Sequence, residues 1–194
     1  MIFTEIRFHN FRVFKGRQEI PLLAAPGKPV CLIGGLNGAG KTTILEGMQL
    51  VLYGSRAPYL DGLSGGYESY LRGSINRRVK PSEGASVELI FEKEEAGQPR
   101  EYRVARYWSP HGKSIQESLY VFFDGKQDRL LTDTWPQQVE NFIPARLSEL
   151  FFFDGERIED LADPDRSQKI FATALDALLG MDLVRQLALD LEVL

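Results

Sequence analysis

Eight consecutive residues carry the most definite chemistry in this chain. Gly35-Leu36-Asn37-Gly38-Ala39-Gly40-Lys41-Thr42 fits the G-x-x-x-x-G-K-[ST] spacing of a phosphate-binding loop in full, with Thr43 following. Glycines at positions 35, 38 and 40 let the backbone turn successive N–H groups inward around phosphate oxygens. A helix starting behind the loop adds the partial positive charge of its N-terminus. Lys41 has the reach and charge for β- and γ-phosphates, and the Thr42 hydroxyl is placed to hold Mg²⁺. Gly35 to Thr43, with Asn37 and Ala39 between the glycines, are therefore the candidate nucleotide residues. The chain has no Asn-Lys-x-Asp stretch, so a guanine-reading site is not supported.

A second pair of groups is Asp154 and Glu156, directly after the apolar run Leu150-Phe151-Phe152-Phe153. The spacing fits a strand-end metal site in which Asp154 holds Mg²⁺ through water and Glu156 orients an attacking water. An ordinary Asp-Gly turn has the same appearance.

These groups need elements to carry them. Residues 29–33 form a short apolar run of the buried-strand kind, and Ile44, Leu45, Met48, Val51 and Leu52 recur at helical spacing over 41–53. Strand and hairpin patterns cover residues 2–8, 17–22, 85–92, 101–108, 115–123 and 127–131. Thr134 and Pro136 predict a helix start, and 150–153 a strand. Residues 54–66 predict a surface loop, with a short helix over 67–71. Residues 164–179 predict a helix. After it Val184, Leu187, Leu191 and Leu194 recur at steps of three, four and three, a heptad seam that predicts the start of a coiled coil.

Composition narrows the classes. With 194 residues, 43% hydrophobic and 26% charged, the chain is long enough for a packed domain and unlike disordered or fibrous classes. A net charge of −4 leaves nucleic-acid contact to a local patch. The densest basic stretch is Arg72, Arg77, Arg78 and Lys80, with Tyr67 and Tyr70 beside it. DNA and an arginine facing nucleotide are both open readings of it. The single cysteine, Cys31, excludes an internal disulfide, and two histidines give no multi-His metal site. No apolar run approaches a membrane span, and the charged N-terminus lacks a signal-peptide pattern, so a cytoplasmic protein is expected.

Asn10-Phe11-Arg12, Asn37-Gly38-Ala39-Gly40-Lys41-Thr42-Thr43, Phe152-Phe153-Asp154-Gly155-Glu156 and the emerging coiled coil together resemble the N-terminal half of an SMC-like, ABC-class ATPase head. Leu52-Tyr53-Gly54-Ser55-Arg56-Ala57, Tyr70-Leu71-Arg72 and residues 150–158 resemble most the bacterial DndD family of DNA-phosphorothioation ATPases.

The resemblance implies an α/β P-loop fold: a mixed sheet, an antiparallel β-meander, and C-terminal helices entering a coiled coil. Residues 1–163 would form the lobe and 164–194 the helices. It implies ATP and Mg²⁺, Arg12 on the nucleotide phosphates, and Asp154 in a Q-loop where relatives carry glutamine. As either Q-loop or Walker B residue, Asp154 lies near the metal. The signature motif, Walker B and catalytic glutamate of such heads would come from a C-terminal half, and two heads would pair on ATP. Leu63-Ser64-Gly65-Gly66 spells a signature motif but lies too early for one. Other Dnd proteins and DNA are the implied partners. The open alternatives are another SMC-like repair or restriction-linked ATPase, a self-sufficient phosphotransferase using Asp154 and Glu156, and a nucleotide-holding switch.

Overall fold

The computed structural model describes residues 1–24, 30–60 and 65–152. The chain divides into two compact units, Met1–Phe142 and Ile143–Leu194. In the first, β1 (Ile2–Phe11), β2 (Phe14–Pro21), β3 (Ala85–Glu95), β4 (Gln98–His111), β5 (Ser114–Phe123) and β6 (Lys126–Gln127) form a sheet in the order β2-β1-β3-β4-β5-β6. Every pairing in it is antiparallel. Alternation along β1 decides the faces: Ile6 and Phe8 are buried, whereas Arg7 and His9 project from the other side. Ile6 lies opposite Ile20 on β2 and Leu89 on β3, which fixes the register of the apolar side.

The helix α1 (Lys41–Tyr53) packs against β3 and β4. It lies close to the sheet at Gly47, where a Cβ would stand 2.5 Å from the Phe8 ring. Phe8 is itself stacked between Phe11, at 5.7 Å, and Phe14, at 4.8 Å. The far end of α1 is tied down carbonyl by carbonyl. Leu50 accepts from the Gly54 N–H, Val51 from Arg106 Nε at 3.1 Å, and Leu52 from Trp135 Nε1 at 2.9 Å. These are carbonyls a helix terminus would otherwise leave without intrahelical partners. Arg106 is buried and also pairs with Glu117 at 2.8 Å, which accepts from the Tyr67 hydroxyl as well. Burial, more than any neighbouring charge, raises the Tyr67 pKa.

The meander strands and α1 match the expected positions, and the α/β P-loop NTPase architecture is present. Four local expectations are corrected. Residues 30–33 are not a strand. Val30, Leu32 and Leu36 are 75%, 91% and 85% exposed, and among the described residues no strand pairs with this segment. The apolar run shows that burial is needed, not that a partner is at hand. All pairings in the described sheet are antiparallel, so a parallel part of the expected mixed sheet is not seen in it.

Third, residues 129–131 are helical: α3 (Arg129–Phe142) starts ahead of Thr134, and Pro136 lies inside it. Asp128 supplies the start, its carboxylate accepting from Leu131 N–H at 2.9 Å. Thr134 instead bonds back to the Leu130 carbonyl. Fourth, Ser148–Phe151 is a short helix, α4, preceded by a 3-10 turn over Ala145–Leu147. A four-residue apolar run has no period that separates strand from buried helix. The helix α2 (Gly66–Ser74) extends past both ends of the expected 67–71. The predicted helices and heptad seam of 164–194 lie outside the described residues. Among the described residues no helix is long and apolar enough to cross a membrane.

Candidate functional site

The phosphate-type loop is built by its glycines and by what lies beneath it. Gly38 and Gly40 hold φ of 80° and 105°, a region that side chains with a Cβ avoid. At Gly40 a Cβ would also stand 2.8 Å from both Val13 and Phe14, so the loop rests directly on the β1–β2 turn. Ala39 N–H closes the loop on the Leu36 carbonyl at 3.1 Å, and Gly40 immediately precedes α1. Lys41 leads the helix, its ammonium donating to the carbonyls of Gly35 at 3.0 Å and Leu36 at 3.2 Å. A phosphate would compete with these two carbonyls for the ammonium. Asn37 is exposed at the loop crest, Thr42 is exposed and Thr43 is buried.

A cavity of about 670 Å³ opens beside this loop, within the range of small-molecule sites. Gly38, Ala39 and Thr43 line it together with Arg12, Phe14 and Asn76. Arg12 thus lines the same cavity as Gly38, Ala39 and Thr43 of the loop. Arg12 has a φ of 52°. Its N–H donates to the Ser74 carbonyl and its own carbonyl accepts from Asn76 Nδ2, both at 2.7 Å. Its guanidinium lies 3.1 Å from Glu46 and 5.1 Å from the Tyr70 ring centroid. Burial works against the Arg12 charge, but Glu46 and Tyr70 outweigh it and hold the pKa above the ordinary arginine value. Tyr59 donates to the Tyr70 hydroxyl, and burial raises the pKa of both tyrosines.

Two residues of this arrangement, Glu46 and Asn76, are not among the site residues read from the sequence. Glu46 follows Thr42 by one helical turn, so its position on the loop-facing side of α1 had a signal. Asn76 had none, because its role depends on long-range contact with the β1–β2 turn. Asp154 and Glu156 lie outside the described residues, as do Leu63 and Ser64 of the early signature-like stretch. Gly65 and Gly66 open α2.

For Mg²⁺, the described residues contain no cluster of three His, Cys, Asp or Glu side chains.

A family model described as an AAA domain matches residues 5–188. The chain belongs to the AAA domain family. Among solved structures similar to this AAA domain is the SMC head domain from Thermotoga maritima. It is 22% identical with a TM-score of 0.36, over 67% of this chain and 40% of that one. No curated protein matches the sequence.

Proposed function

We propose that this AAA domain is the nucleotide-binding N-terminal lobe of an SMC-like ATPase head. The observation that carries the reading is the loop itself: Gly38 and Gly40 in the glycine-favoured region, Lys41 heading α1, and Arg12 across the adjoining cavity. ATP is the substrate, with Gly35 to Thr43 around its phosphates and Lys41 and Arg12 on their charge. The hydroxyl of Thr42 would hold Mg²⁺, joined by Asp154. When bound, the ion neutralises phosphate charge as the bond to the γ-phosphate breaks. Glu156 would then orient the attacking water.

The exposed apolar segment around Val30, Leu32 and Leu36 favours a lobe that needs completion over a self-sufficient enzyme. Such a segment just ahead of the loop suits a strand of a sheet whose other strands come from a C-terminal half. That half would also bring the signature motif and Walker B, and two heads would engage on ATP and separate after hydrolysis. At the finest level, residues 52–57, 70–72 and 150–158 favour a role in DNA phosphorothioation with other Dnd proteins.

The test is ATP binding and turnover by the chain beside Lys41→Ala. The expected result is Lys41-dependent binding without turnover, and turnover on adding the C-terminal half. Lys41-dependent turnover by the chain alone would instead identify a self-sufficient phosphotransferase. Binding with no turnover in either setting would identify a switch.

A further inference from the structure

Arg77 and Arg78 belong to a basic stretch open to two readings, and the structure separates that stretch. Arg72 on α2 donates to the carbonyls of Lys113 at 2.8 Å and Ser114 at 3.0 Å, on the β4–β5 turn. Arg77 and Arg78 line the cavity beside the phosphate-type loop, together with Arg12, Gly38, Ala39 and Thr43. Neither guanidinium has a hydrogen-bond or ion-pair partner among the described residues. Among the described residues the carboxylate that lines the cavity is Glu46, which is paired with Arg12.

The backbone that presents the two arginines is fixed on the β1–β2 turn. Arg12 N–H donates to Ser74, Asn76 N–H donates to the Asn10 carbonyl, and Asn76 Nδ2 donates to the Arg12 carbonyl, each at 2.7 Å. The side-chain oxygen of Asn76, Oδ1, accepts from the Arg78 N–H at 2.9 Å. Ile75 bridges Phe11 as an isolated strand contact. Asn76 is thus buried, with both ends of its amide engaged in holding the segment.

We propose that Arg77 and Arg78 bind the phosphate chain of the nucleotide from the cavity they line with the loop. The proposal rests on the reading of the loop as a nucleotide site. Guanidinium groups suit phosphate oxygens because their paired N–H donors match the oxygen geometry. A concave site focuses their charge on a polyanion more than an open surface does. The backbone straps mean that little chain ordering is needed on binding, so the charge is expressed as affinity. Paired tyrosines argue against a base-stacking DNA platform here: Tyr67 is bonded to Glu117, and Tyr70 lies under Arg12 and bonded to Tyr59.

The experiment measures binding of Mg²⁺-ATP and of Mg²⁺-tripolyphosphate to the whole chain by calorimetry. It compares wild type, the double variant Arg77→Gln/Arg78→Gln, the double variant Arg77→Lys/Arg78→Lys, Arg72→Gln and Lys41→Ala. The Gln pair should weaken both ligands by on the order of tenfold to a hundredfold, the range for a charge-assisted bond. The Lys pair should recover most of the loss, and the wild-type affinity should fall more steeply with salt than that of the Gln pair. Arg72→Gln should bind as wild type. If the Gln pair binds ATP as wild type while Lys41→Ala does not, the proposal is overturned and the loop reading stands. If the Gln pair keeps ATP but loses a mixed-sequence DNA duplex, the segment is a DNA surface and the proposal is equally overturned. If wild type shows no Lys41-dependent binding, the reading falls and the proposal with it.

Discussion

Gly47→Ala sets two well-measured effects against each other, and the structure decides the sign. In an unconstrained helix the change stabilises by about 1 kcal/mol, because alanine loses less backbone freedom than glycine. At Gly47 the new methyl would meet Phe8 Cε1 at 2.5 Å and Cζ at 3.1 Å, whereas relaxed carbon contacts lie at about 3.5–4.0 Å. Relief therefore needs a shift of roughly 1 Å at the shorter contact. Phe8 cannot supply it, being buried and stacked between Phe11 and Phe14. Overpacking costs about 1–3 kcal/mol, and a shift of this size against a clamped ring falls at the upper end, about 2–3 kcal/mol, so the net effect is a loss of ~1–2 kcal/mol. For a domain of this size that lowers the melting temperature by roughly 3–6 °C. Thermal unfolding followed by circular dichroism reads it. Gly73→Ala is the comparison, since its Cβ would meet nothing within 4 Å and it lies near the end of α2, so it should be neutral or stabilising. A melting temperature for Gly47→Ala at or above wild type would refute the argument that α1 is seated against the Phe8 ring.

Four further outcomes are expected. Trp135→Phe keeps most of the ring volume but removes the donor to the buried Leu52 carbonyl, so unfolding in urea should show a loss of about 1–2 kcal/mol. Arg106→Met leaves Glu117 and the Val51 carbonyl without their cation, at a cost of about 3 kcal/mol; adding Glu117→Gln should return part of that in a double-mutant cycle. The Glu95 carboxyl accepts from Tyr102 at 2.6 Å and from Lys93 at 3.1 Å, and these bonds, Tyr102 first, lower its pKa. Its contribution is present above the ordinary carboxylate range and is lost as pH falls through the lowered value, so Glu95→Gln should flatten stability against pH on the acid side only. Cys31, exposed between β2 and the phosphate-type loop, should react freely with a thiol reagent in the chain alone and slowly once a completing C-terminal half is added.

Legibility followed the range of the interactions. The pattern over 41–53 placed α1 at Lys41–Tyr53, alternation placed β1, and apolar runs bounded by turn residues placed the other long meander strands. The start of α3 was displaced because Asp128 outcompetes Thr134 as a cap, a choice that depends on where β5 and β6 end. The segment around Val30 shows the limit of hydropathy: it reports a need for burial without naming what meets it. At the site, Lys41 and the glycines were legible from spacing. The resemblance also put Arg12 there and left an arginine of the 72–80 stretch facing nucleotide as one of two readings; the contacts through Glu46 and Asn76 that join these regions were not legible, since hydrogen bonds between segments far apart in the chain leave no periodic trace.

Helices commonly fray at their ends, but in the last turn of α1 three successive carbonyls are held by a glycine N–H, an arginine and a tryptophan. Its amide hydrogens should therefore exchange with solvent only when the sheet itself opens, not by local unwinding. The opposite end of the same helix begins at Gly40, preceded by Gly38, and carries no side-chain cap bond. Displacement produced by a phosphate at the loop is then confined to the first turn or passed on as motion of the whole helix with the sheet. A rod clamped at one end in this way gives up little free energy to bending, so a sub-ångström change at Lys41 that moves the helix reaches β4 and α3 through Arg106 and Trp135.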